Sequence, residues 1–268
     1  MNGIIAFALA LILALPAAAA PVDLHDNAGE KVLNGILSGN AFWSGASTSH
    51  HNGKLYDEIR LKQTDGGYIP MITGQGGQDY GNDVVSDVVF TQNTRLPMHM
   101  SGAKAIVGLG SGYDSAVGAA YRDSFYVLDL TVMYVVFPQR MYRHHDAVTG
   151  QTVLSFEKID ASFVDVATWA SYNKTMDATV DGMSRRMLMN SVVEATEVYG
   201  MFVVEPGEDF ESRVTFVSKI GFDESAGWMA RLGSQLPPVL RSGLKSGFNA
   251  SVTLAGEEKQ KRNRGVGP

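Results

Sequence analysis

The strongest constraint in this 268-residue sequence is the stretch 125–137. There Tyr126, Leu128, Leu130, Val132, Tyr134 and Val136 alternate with Phe125, Val127, Asp129, Thr131, Met133 and Val135. Period-two alternation marks a β-strand, and two largely apolar rows mean a sheet covered on both faces. Asp129 is then a polar group set into one of those faces. A chain containing such a strand needs further strands beside it and helices to cover it.

Further strands are expected over 55–61, 68–73, 85–97, 153–159, 187–193, 198–204 and 212–220. The segments 146–150 and 205–209, each holding a glycine, read as hairpin turns. A short helix is expected over 27–37, and residues 99–121, rich in Gly and Ala, read as helical or irregular. The C-terminal region carries the most regular helical stripe: Trp228, Leu232, Leu236, Leu240, Leu244 and Phe248 recur every four residues, with Pro237 and Pro238 expected to break or kink it. From Gly256 onward the composition turns to Lys, Arg, Glu and Gly, and residues 256–268 read as a disordered tail.

Residues 1–20 are almost wholly apolar and end in small residues, although no Lys or Arg precedes the apolar run. They read as a signal peptide cleaved near Ala19 or Ala20, which predicts an exported protein, secreted or periplasmic. The absence of cysteine excludes disulfide scaffolds, Cys-ligated zinc, iron–sulfur sites and cysteine nucleophiles. A formal net charge of −6 argues against nucleic acid as partner.

Motifs for chemistry are sparse. His144, His145 and Asp146, with His50 and His51 upstream, offer metal-ligating types, but neighbouring histidines on a strand point to opposite faces, so the reading is a polar hairpin end. Gly108, Gly110 and Gly112 resemble a phosphate loop, yet Tyr113 stands where a dinucleotide motif continues and no Lys-Ser or Lys-Thr follows. Ser111 lacks the flanking glycines of a nucleophile elbow. No catalytic residue, metal or cofactor is expected.

A sheet of antiparallel hairpins closed by a long C-terminal helix is an α+β helix-grip architecture. Four segments carry a resemblance to a known family: 85–97 as a strand ending in proline; Phe137-Pro138-Gln139-Arg140; Gly200 to Pro206 running into Ser212 to Phe216; and Gly227-Trp228-Met229 opening the long helix. Over residues 84–252 the chain resembles the START lipid-transfer family and its wider superfamily of hydrophobic-ligand-binding proteins. Met141 follows Arg140 where relatives place an acidic residue, so their charged cavity pair is not carried over. The implied organisation is a signal peptide (1–20), an N-terminal helix and hairpin segment packed on the body (21–83), a START-like domain (84–255) and a tail (256–268).

The resemblance implies a cavity between sheet and C-terminal helix holding a lipid or sterol-like molecule, with transient membrane contact possible. Its expected lining is Met133, Phe202, Phe216, Trp228, Leu232, Leu236 and Leu240, with Asp129 or Arg140 at a polar end; Glu157 and Arg143 are further candidates for polar groups inside. Methionines and aromatics concentrated in this half of the chain suit an adaptable apolar surface. Two alternatives remain. One is a cyclase- or hydrolase-like enzyme using Asp129, Glu157 or His99 as acid or base. The other is a secreted interaction protein whose cavity is filled by its own side chains.

Overall fold

The computed structural model describes residues 49–51, 54–64, 67–74, 81–129, 133–184, 191–206, 212–222 and 237–265. The expected signal peptide and the helix over 27–37 lie outside the described residues. In chain order the elements are β1 (Ser49–His51), β2 (Lys54–Thr64), β3 (Gly67–Gly74), α1 (Asn82–Thr91), a 3₁₀ turn (Asn93–Met98), β4 (Ala103–Asp114), β5 (Ala119–Asp129), β6 (Met133–His145), β7 (Thr152–Lys158), α2 (Val166–Ser184), β8 (Ser191–Glu194), β9 (Glu197–Glu205), β10 (Arg213–Gly221) and α3 (Pro237–Asn263).

The strands join one sheet in the order β1-β2-β3-β10-β9-β7-β6-β5-β4. The pairings along this path are antiparallel, and short β8 runs parallel to the start of β6, beside the residues that β7 does not reach. β3 pairs with β10, setting Ile72 opposite Phe216, so the hairpin read from residues 55–73 extends the sheet itself. The β6–β7 turn closes at Gly150, whose φ of 71° suits glycine, and its N–H donates to the Asp146 carbonyl at 2.8 Å.

Three expectations about the strands need correcting. The stretch 125–137 is two strands: Phe125 pairs with Pro138 and Asp129 with Tyr134 across a reversal. Side-chain phase shifts there, so Tyr126 and Leu128 pack on one face while Tyr134 and Val136 pack on the other. The stretch 85–97 forms helix α1 and the 3₁₀ turn, not strand. Val84, Val85, Val88 and Val89 sit at helical spacing, and burying all four against α3 and the sheet overrides the strand preference of β-branched residues. Residues 99–121, expected to be helical or irregular, supply β4 and the start of β5. Their glycines make room for neighbours: a side chain at Gly110 would collide with the Tyr172 hydroxyl on α2.

The sheet carries a helix layer on each face. On one, α1 and α3 pack over β5, β6, β7, β9 and β10, with Val88, Leu154, Val204, Val214, Phe248 and Leu254 fully or almost fully buried. On the other, α2 lays Met176, Val180 and Met183 over Phe125, Val127, Tyr134 and Val136. Pro237 and Pro238 open α3 rather than kinking it, because the first helical turn has no use for their missing N–H groups. The helix also runs on through the expected tail to Asn263, and Glu258 within it is buried.

That C-terminal half is tied down by charge. Arg262 reaches Asp83 and Asp87 at 3.1 Å, Arg95 reaches Glu257 at 2.8 Å, and the Gln92 carboxamide donates to Glu258 at 3.1 Å. Arg143 is held by Asp87 at 2.6 Å in the same cluster. The pairs are partly exposed, so each contributes a fraction of a kcal/mol; the apolar row beneath them carries most of the docking energy.

Candidate functional site: an apolar pocket between sheet and C-terminal helix

Along β5 and β6 the residues Tyr126, Leu128, Val135 and Phe137 point to the α3 side, as pleating requires. Phe156 of β7, Val198 of β9, and Phe216, Ser218 and Ile220 of β10 continue the surface, joined by Phe222. Facing them are Val239, Leu240, Gly243 and Leu244 from the first turns of α3, and Met100. These residues line a pocket of about 180 Å³. It lies at the end of α3 away from the ion pairs.

Glycine and aromatic packing shape the floor. The Phe202 and Phe216 rings stack at 4.1 Å with planes 3° apart, and Tyr126 stacks on Phe137 at 5.3 Å and 6°. Gly200, opposite Ser218 in the β9–β10 pairing, lets the Phe156 ring lie where a Cβ would otherwise stand. The Tyr126 hydroxyl turns to Asn93 and Gln139, leaving its ring to the pocket. Among the described lining residues Ser218 carries the one polar side-chain group besides the Tyr126 hydroxyl, and none is charged.

Burial pushes the Tyr126 phenol up to about 12 from its ordinary 10.0, outweighing those two hydrogen bonds. A raised folded value favours the neutral phenol, so this contribution is complete below pH 10 and is lost as pH climbs through about 12. The two-unit gap is worth on the order of 2–3 kcal/mol. Urea unfolding of wild type and Tyr126→Phe at pH 9 and at pH 11.5 is expected to show wild type losing more stability over that interval. Equal losses would remove Tyr126 as a source of alkaline sensitivity.

The expected site residues divide. Phe216 and Leu240 line the pocket. Phe202 lies behind Phe216 in its stack, and Met133 is buried in the same packed layer without lining the pocket. Trp228, Leu232 and Leu236 lie outside the described residues.

Asp129 and Arg140 are corrections, because both sit on the α2 face. Asp129, at the end of β5, accepts from the Tyr134 hydroxyl at 3.2 Å. Arg140 forms a bidentate pair with Asp123, its Nε donating to Oδ1 at 2.7 Å and Nη2 to Oδ2 at 2.8 Å, with the side chains 4% and 0% exposed. Tyr172 of α2 donates to the same carboxylate at 2.8 Å, and the guanidinium lies 3.9 Å from the centre of the Tyr121 ring. Burial opposes the charge of Arg140, but the hydrogen bonds and attraction of Asp123 prevail and hold its proton more tightly than usual. The group therefore locks α2 to the sheet and presents nothing to a ligand in the pocket.

The acid–base candidates do not line the pocket either. Glu157 alternates away from Phe156, and His99 Nε2 stands 3.0 Å from Glu257 at the α3 ion-pair cluster. Among the described residues no group of three His, Asp or Glu side chains is placed to hold a metal ion, and no helix is long and apolar enough to cross a membrane. Sequence reasoning missed Tyr126, Leu128, Val135, Phe137, Phe156, Val198 and Ile220. Their signal was present as alternation, but the phase of β6 relative to β5 was not readable without the reversal.

Comparison with solved structures places this architecture. A STAR-related lipid transfer protein from Xanthomonas axonopodis superposes with a TM-score of 0.52 at 11% identity, over 78% of this chain and 99% of its own. Human STARD10 superposes with a TM-score of 0.54 at 10% identity, over 91% of this chain and 86% of its own. The fold is START-like. At this identity the likeness is one of architecture: the antiparallel sheet and C-terminal helix of the helix grip. No family model and no curated protein matches the sequence. The pocket of this START-like chain thus lies between the two elements that define the fold, the sheet and its closing helix.

Proposed function

We propose that the protein is an exported lipid-binding or lipid-transfer protein that holds a hydrophobic molecule, a lipid or a sterol-like compound, between the sheet and the first turns of α3. The observation that carries this reading is the apolar pocket on that side of a START-like fold. Affinity arises from apolar area withdrawn from water, at about 25 cal/mol per Å². A ligand's neutral polar group has one partner there, the Ser218 hydroxyl; charged headgroups find none among the described lining residues and remain at the mouth.

Met98 is 70% exposed and Val239 42%, on the two segments that bring Met100 and Leu240 to the pocket. This supports loading by brief contact with a membrane. Export rests on the apolar run of residues 1–20.

Organic extraction of the purified protein, followed by mass spectrometry and by titration of delipidated protein with a fluorescent acyl or sterol probe, tests the reading. A stoichiometric lipid or saturable probe binding is expected. Neither extracted lipid nor binding would overturn it. N-terminal sequencing of the protein recovered outside the cytoplasm is expected to begin near Ala20 or Pro21.

A further inference from the structure

The face of the sheet opposite the apolar pocket holds a second hollow, of about 260 Å³, roofed by α2. Its floor is Phe125, Val136 and Pro138. One row of α2 makes its wall: Trp169, Asn173 and Asp177, four residues apart and so on one helix side. The described protein engages none of the three polar groups in that row, whether indole N–H, carboxamide or carboxylate, in a side-chain hydrogen bond or ion pair. Three polar groups that solvent reaches, lining one hollow with an aromatic wall, keep their hydrogen-bonding capacity available to a bound molecule.

Charge decides what it recognises. Lys158 at the rim is balanced by Glu194 at 2.8 Å. Asp160, also on the rim, accepts from the Ser162 hydroxyl and N–H at 2.6 and 2.8 Å, both at Oδ1, leaving Oδ2 open. Lys158 also attracts Asp160, yet of the four charged side chains on the described rim three are acidic and one is basic, so the rim is net negative. An anion would be repelled, whereas a cation gains both carboxylates and the face of Trp169.

We propose that this hollow binds a compact organic ammonium ion, its charge between Trp169 and the two aspartates and its apolar body on Phe125, Val136 and Pro138. The same chemistry is available from a free amine or from the ammonium headgroup of a lipid. The site stands on a different face from the lipid pocket and does not rest on the function proposed for that pocket.

Calorimetric titration of the full-length protein with phenethylamine, with 2-phenylethanol as neutral isostere, and with phosphatidylcholine vesicles tests this. Saturable phenethylamine binding is expected, with the alcohol about tenfold weaker or more. Asp177→Lys alters an exposed side chain, so it leaves the fold intact; it is expected to abolish amine binding, and Trp169→Ala to weaken it. Gly243→Phe, in the other pocket, is expected to leave amine binding unchanged, which separates a failure here from a failure of the lipid reading. Vesicle binding removed by Asp177→Lys supports the site with a lipid-borne cation, and amine binding without vesicle binding supports it with a free one. Equal affinity for amine and alcohol, unaltered affinity in Asp177→Lys, or no saturable binding would overturn the proposal.

Discussion

Replacing Asp123 by Asn is expected to lower stability by about 3–5 kcal/mol, among the largest effects of any polar substitution in the molecule. The change removes one charge and leaves the Arg140 guanidinium 4% exposed without its counterion. A buried cation deprived of its partner forfeits hydration without receiving anything in return, whereas a surface pair would lose almost nothing. Tyr172→Phe removes only the third hydrogen bond to that carboxylate, so about 1 kcal/mol is expected. The two changes should not add, since both act on one carboxylate. For a chain of this size the larger loss corresponds to a fall in Tm of roughly 10 °C. Thermal and urea unfolding of the two variants and their double form the test. A loss below about 1 kcal/mol for Asp123→Asn would show that Arg140 finds another partner, and the lock assigned to this group would fail.

The second large effect concerns binding. Gly243 lines the apolar pocket, and a Cβ built on it meets no atom within 4 Å. Gly243→Phe therefore places a ring in the space assigned to ligand without a collision at its root. Replacing a helical glycine also favours the helix by up to about 1 kcal/mol, so folding is not the casualty. Probe affinity is expected to fall at least about tenfold, and lipid recovered by extraction to fall with it. Val148→Phe, at a position 95% exposed on the β6–β7 turn, adds similar apolar area elsewhere and is expected to leave binding unchanged. Undiminished binding by a folded Gly243→Phe variant would remove the pocket as the ligand site.

These expectations also mark what the sequence made legible. The helical stripe of Leu240, Leu244 and Phe248 and the strand hairpins around Gly150 and Pro206 read correctly, because each depends on a local period and a local turn. The resemblance to the START family led to the right architecture. Asp129 and Arg140 went to the wrong side of the sheet for a physical reason: both faces are covered, so a polar residue in an apolar strand is equally conspicuous on either.

The helix α2 was overlooked although Trp169, Tyr172, Met176, Val180 and Met183 follow one another by three, four, four and three residues. Ser, Thr, Asn and Asp between them diluted the stripe. Its start was also signalled locally, since Asp165 accepts from the Ala167 and Thr168 N–H groups at 3.0 Å and caps the helix. The extension of α3 past Gly256 was missed because the charges that suggest a tail are here tied to α1 and the 3₁₀ turn after it by side chains 160 to 180 positions earlier, a pairing no local window contains.

β5 and β6 serve as a partition wall between two unlike compartments. Tyr126, Leu128, Val135 and Phe137 furnish the apolar room, while Asp123, Phe125, Val136 and Arg140 furnish the one beneath α2. In a sheet with one wet face, a slip of one residue exposes a hydrophobic row and hides a polar one. Here the same slip would exchange the furnishings of both rooms, carrying a buried ion pair into the greasy compartment and stacked aromatics under the polar helix. A single-residue insertion or deletion in either strand would thus spoil two sites at once, while paired changes that keep the alternation in step can alter each room separately.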